Sequence, residues 1–138
     1  HDAMYFFRWS QKKLRALLDG LHAETLTCDG RTYYYLVQPQ APPPVPRCIF
    51  LAGFDPLLLG YEKKESLYLP PAHLKQIFNN TGIVFPALLV DGQVKGKWKE
   101  QPKRVEITLF APLNKSQLQA VRRECRRLWP EKQLLITE

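Results

Sequence analysis

Lys95, Lys97 and Lys99 alternate with Val94, Gly96 and Trp98. Successive side chains of a strand point to opposite faces, so this spacing predicts three ammonium groups on one face of a hairpin arm. Such a ridge, with Gly92 and Gly96 permitting close approach, suits the phosphates of a nucleic-acid backbone. The same pattern also suits an edge strand kept from aggregating by lysine. Arg122, Arg123, Arg126 and Arg127 form a second cationic group, with planar, two-pronged donors able to hold phosphate. A solvated helix face is the usual setting of such a run.

Bond-making chemistry has no comparable signal. Asp55, Glu62, Glu65, Asp91 and Glu106 are scattered without a spacing that pairs two carboxylates, and His22 and His73 are the internal histidines. No phosphate loop or nucleophile elbow is present. Cys28, Cys48 and Cys125 are widely spaced, with no C-x-x-C and no histidine at ligand distance, so they read as three reduced thiols in or near the core. The residues therefore predict no catalytic set, no metal site and no cofactor.

The whole chain is consistent with a binder of polyanions. Its 138 residues carry 20 Lys and Arg against 13 Asp and Glu, a net charge of +7. The excess is local: residues 90–104 hold five basic and two acidic side chains, and residues 115–132 hold six and two. A hydrophobic fraction of 45% supports a packed core of one domain, or of a small domain with an appended module. No run approaches the roughly 18 apolar residues of a membrane helix, and the start lacks a signal peptide. The reading is a soluble cytoplasmic protein, with no membrane or metal partner. His1 in place of Met points to a fragment or a tag remnant.

The elements that must carry these side chains follow from periodicity and breakers. Pro39 to Pro46 holds five prolines in eight residues and predicts an extended connector, hence a module boundary at residues 39–47. Before it, residues 1–38 predict a short helix from Asp2 to Arg8 or Trp9. A second helix, capped by Ser10, buries Leu14, Leu17, Leu18 and Leu21 and leaves Lys12, Lys13 and Arg15 outside. A hairpin turning at Asp29-Gly30 follows, with Arg31 beside the turn. Helix, helix, hairpin matches the latter half of a winged helix, and equally a generic helical hairpin on two strands.

After the connector, residues 48–138 predict a strand at Arg47–Leu51, a turn and short apolar stretch from Gly53 to Tyr61, and a helix opened by Pro70-Pro71 with Leu74, Ile77 and Phe78 inward. A hairpin around Asp91-Gly92 and a strand from Arg104 to Phe110 complete an antiparallel meander. Asn114 and Gln117 box the start of a last helix that buries Leu118, Val121, Cys125 and Leu128, and Gln133 to Thr137 can form a final strand. The fold class is α+β.

Taken together, F-L-A-G-F-D-P-L-L-L-G-Y from Phe50, L-Y-L-P-P from Leu67, and N-T-G-I-V-F-P-A-L-L-V-D-G-Q-V-K-G-K-W ending at Trp98 form a specific set. The set resembles the C-terminal part of the winged-helix DNA-binding proteins related to the AlkZ and YcaQ alkylpurine DNA glycosylases. Phe54, Asp55, Gly60, Tyr61, Gly82, Pro86, Asp91, Gly92, Gly96 and Trp98 fall on the family pattern, and about half of the chain is covered. Glu62 to Ser66 departs from the usual K-D-R-S run, which removes any role carried by that arginine.

The resemblance implies an incomplete winged helix joined to a small antiparallel, barrel-like β domain with flanking helices. It further implies a role in excising alkylated or crosslinked bases, with double-stranded DNA as partner and a place beside the nucleoid. The family's catalytic Q-x-Q or Q-x-D motif is absent as such, because Gln38-Pro39-Gln40 has proline where the family has an apolar residue, so this chain alone is not expected to be catalytic. Lys12, Lys13, Arg15, Arg31, Lys95, Lys97, Lys99, Lys103 and Arg104 are the expected phosphate contacts. The alternative is a structural domain that packs on an upstream part of the same protein without DNA affinity of its own.

Overall fold

The computed structural model describes residues 2–36 and 44–138, so Gln38-Pro39-Gln40 and most of the proline run lie outside the described residues. The chain divides into two compact units, residues 1–45 and 46–138. The first holds α1 (Asp2–Phe7), α2 (Gln11–Gly20), β1 (Glu24–Cys28) and β2 (Arg31–Tyr35). Arg8 ends α1 by taking a positive φ of 55°, and the Ser10 hydroxyl accepts from the Lys13 N–H at 3.3 Å to start α2. Asp29 and Gly30, at φ 49° and 72°, make the two-residue turn that right-handed strand twist favours.

The leucine stripe of α2 is less covered than its period predicts. Leu14 is buried and Leu18 half-buried, while Leu17 and Leu21 are 43% and 49% exposed. Two strands and a six-residue helix are too small to cover a full amphipathic face. Cys28 is also exposed, contrary to the expectation of a core thiol.

The second unit is a five-stranded sheet in the order β3-β4-β5-β6-β7, formed by β3 (Cys48–Leu51), β4 (Ala87–Val90), β5 (Gln93–Glu100), β6 (Arg104–Leu109) and β7 (Gln133–Thr137). Strands β3 to β6 are antiparallel neighbours, as the turn signals require. β7 departs from the expected antiparallel meander and pairs parallel to β6. The physical reason is α5 (Lys115–Leu128), which carries the chain back along the sheet and so delivers the next strand in the same direction as β6. β3 and β7 are the edges of an open sheet.

Each face of the sheet has its own core. Leu88 and Val90 of β4, with Ile107 and Leu109 of β6, pack on Ala120 and Val121 of α5. Ala87 and Leu89 of β4 face the other way, onto Leu58 of α3 (Pro56–Leu59), Leu69, and Ile77 of α4 (Leu74–Ile77). Asn114 and Gln117 form the predicted reciprocal capping box at the start of α5, with bonds of 2.9 and 3.1 Å. Pro70 and Pro71 lead into a short 3-10 turn before α4 rather than a full α-helix.

Candidate nucleic-acid interface

The geometry of β5 decides what the lysines can do. β5 lies between β4 and β6, so its lysines do not guard an edge. Opposite β4, Leu89 pairs with Val94 and Leu88 with Gly96, which leaves Lys95 as the extra residue of a β-bulge. The bulge resets the alternation, and the expected ridge of three lysines on one face is interrupted at this residue. Lys97 pairs with Ala87 and Thr108, and Lys99 with Glu106, so these two share a face. Lys97 is half-buried with its Nζ 5.5 Å from the centre of the Phe85 ring, and Lys99 is exposed.

Lys103 and the adjacent Arg104 are exposed at the start of β6, and Arg104 is paired with Glu106 at 2.5 Å. In the first unit Lys12, Lys13, Arg15 and Arg31 are all exposed, with the Lys13 ammonium 3.8 Å from the centre of the Trp9 ring. Of the expected phosphate contacts, Lys12, Lys13, Arg15, Arg31, Lys99, Lys103 and Arg104 are exposed, and Lys95 and Lys97 are half-buried.

The family-pattern residues hold the second unit in shape. Phe54 takes a φ of 59° and donates its N–H to the Val84 carbonyl at 3.2 Å. Asp55 caps α3 by accepting from the Leu57 N–H at 2.9 Å, and Gly60 closes it onto the Pro56 carbonyl at 2.8 Å. Tyr61 stacks edge-on against Tyr68 at 5.6 Å. The Pro86 carbonyl accepts from the Trp98 N–H at 3.1 Å. The Trp98 indole N–H donates to the Leu51 carbonyl at 2.8 Å, and its ring packs with Phe50 and Trp129 at 5.5 and 5.2 Å. Gly92 takes the left-handed φ of 77° at the hairpin tip.

Asp91 does more than turn the chain. Arg47, at the mouth of β3, grips its carboxylate through Nε at 2.7 Å and Nη2 at 3.0 Å, and donates Nη1 to the Ser116 hydroxyl at 3.0 Å. Gln117, already engaged in the capping box, donates to Asp91 at 3.1 Å. The hairpin tip, the start of β3 and the start of α5 are thereby tied at one carboxylate. Sequence spacing could not reveal Arg47 or Ser116 in this role, because the first is 44 residues from Asp91 and the second 69 residues from Arg47.

The hydrogen bonds from Arg47 and Gln117 hold the Asp91 carboxyl down at about 2 against an ordinary 3.8, with the charges of Arg47 and Lys95 adding to them. A carboxyl depressed on folding stabilises the fold above its unfolded value and loses that contribution as pH falls through its folded one. Thermal melts of the wild type and of Asp91→Asn are therefore expected to differ at neutral pH and to converge as pH falls from about 4 to about 2. An unchanged gap across that range would remove Asp91 from acid sensitivity.

Burial pushes the Cys48 thiol up to about 12 and raises Cys125 also, so neither is a nucleophile at neutral pH. Among the described residues no group of three or more His, Cys, Asp or Glu could hold a metal ion. No helix there is long and apolar enough to cross a membrane.

The second unit is thus an open mixed sheet with helices packed on each face. The family model described as DNA glycosylase AlkZ-like matches residues 1–130, and the chain belongs to this family. An interstrand DNA cross-link repair glycosylase of Streptomyces sahachiroi is 28% identical over 131 residues, covering 86% of this chain and 35% of the relative. The solved structure of Streptomyces sahachiroi DNA glycosylase AlkZ superimposes with a TM-score of 0.76 at 25% identity, over 96% of this chain and 40% of that one. The chain spans well under half the length of the relatives it matches.

Proposed function

We propose that this chain is the C-terminal, DNA-contacting portion of an AlkZ-like repair glycosylase, acting on duplex DNA that carries alkylated or crosslinked bases. The observation that carries this reading is the fold likeness over 96% of the chain to a DNA glycosylase. In this reading α1, α2, β1 and β2 are the latter part of a winged helix, residues 39–47 connect it to the sheet unit, and the base-excision step belongs to the rest of the protein. Lys97 and Lys99 on one sheet face, Lys103 and Arg104 at its end, and Lys12, Lys13, Arg15 and Arg31 in the first unit contact phosphates, without reading sequence. The setting is cytoplasmic, beside the nucleoid.

Fluorescence anisotropy of a labelled duplex at two salt concentrations tests it. Each phosphate contact contributes about 0.9 to the slope of log affinity against log salt, so replacing Lys97 and Lys99 together with glutamine is expected to reduce that slope by roughly 2. An unchanged slope sinks the assignment of those lysines, and excision of an alkylated base by this chain alone sinks the division of labour. A second reading, a domain that packs on a further part of the protein, is favoured by the apolar surface of the first unit, where Phe6 and Tyr34 are 62% and 54% exposed. Concentration-dependent self-association with no binding to duplex at low salt would select it.

A further inference from the structure

The outward face of α5 carries charge that its surroundings do not balance. Arg127 takes both oxygens of Glu124, through Nε at 3.0 Å and Nη2 at 2.6 Å. Arg122, Arg123 and Arg126 are exposed, and among the described residues none of them forms a salt bridge or a side-chain hydrogen bond. A helix face adapted only to water interleaves both signs at four-residue spacing, because opposite charges there attract. This face does the reverse: Arg122 stands four residues from Arg126, and Arg123 four from Arg127. Attraction to the negative end of the helix accounts for the two arginines of the last turn, Arg126 and Arg127, but not for Arg122 and Arg123 in the middle.

The row is also rigidly placed. The capping box fixes the start of α5, and Ala120, Val121 and Cys125 are buried on its inner side. Arg122 and Arg126 border two shallow depressions, one lined by Gln119, Arg123 and Arg127 and the other by Cys125, Pro130, Lys132 and Leu134. Arg122 and Arg126 are about 6 Å apart along the axis, by the 1.5 Å rise of the helix, with Arg123 about 1.5 Å beyond Arg122. Planar guanidiniums so placed, none of them ion-paired with an acid among the described residues, fit a chain of phosphodiesters.

From these observations we infer that Arg122, Arg123 and Arg126 form a separate backbone-binding row for duplex DNA on the helix-covered side of the sheet unit. The inference rests on the reading of the chain as a DNA-contacting portion. It assigns the phosphate contacts of α5 in addition to those of Lys97 and Lys99, whose sheet face is the opposite one.

The test compares the full chain with Arg122→Gln/Arg123→Gln/Arg126→Gln and with the same three positions changed to lysine, by anisotropy of a labelled duplex at about 50 and 200 mM salt. The glutamine variant is expected to lose affinity by roughly tenfold or more at the lower salt, with the salt slope reduced by up to about 3, and the lysine variant to keep most of the slope. Its Tm is expected not to fall, since the replaced side chains are exposed and self-repelling. Duplex binding by the wild type with an unchanged slope in the glutamine variant overturns the row alone. No duplex binding by the wild type overturns the DNA-contacting reading as well. A lowered Tm, or arginine-dependent binding to vesicles containing phosphatidylserine in place of duplex, overturns the row in favour of a structural or membrane-surface role.

Discussion

Replacing Trp98 with alanine is expected to destabilise the sheet unit by about 3 kcal/mol or more, the range for removing a large aromatic from a packed site. Its ring is the centre of a cluster with Phe50 and Trp129, and these two also pack with each other at 5.2 Å. The substitution further leaves the Leu51 carbonyl without its indole donor. For a unit of this size the loss corresponds to a fall in Tm of roughly 12–24 °C, read by thermal melting. Trp98→Phe keeps a ring against Phe50 and loses the N–H, so it is expected to fall between the two. A loss under about 1 kcal/mol for the alanine variant would show that the cluster is peripheral to the cooperative core.

The second large effect is expected at Gly96. A Cβ at this position would lie 2.5 Å from the Thr108 carbonyl oxygen and 3.2 Å from the Leu109 Cα. Both are backbone atoms of β6, the strand hydrogen-bonded to β5, and cannot swing aside as a flexible side chain would. Alanine must therefore push two paired strands apart next to the bulge, and overpacking of this kind costs about 1–3 kcal/mol. Thermal melting checks it, with hydrogen exchange of the β6 amides as a local readout; a variant that melts with the wild type would show that the bulge absorbs the added methyl. From its spacing alone, Gly96 is expected to permit close approach of a phosphate. Its neighbour is instead its own sheet.

This difference marks where sequence reasoning stops. The β-hairpin turns at Asp29-Gly30 and Asp91-Gly92, the capped start of α5, the buried positions Val121 and Cys125, and the alternation of β6 all follow from local rules, and the structure has them. Those rules act over one to four residues, through positive φ, side-chain capping and the period of helix or strand. Their signals are therefore written next to the elements they produce.

Three features needed the assembled sheet. The bulge at Lys95 separates it from Lys97 and Lys99, because pairing with β4, and not the period of β5 alone, sets which side chain is extra. The parallel β7 arises from the return path of α5. Arg47, Asp91, Ser116 and Gln117 meet only because hairpin tip, β3 and α5 converge at one corner, and no spacing along the chain encodes that meeting. By itself the sequence determined the types and turns of most elements, the basic balance and the likeness to AlkZ-related glycosylases. Tertiary structure alone decided which cations share a face and which are already partnered, since neighbours across a sheet are set by chain packing over tens of residues.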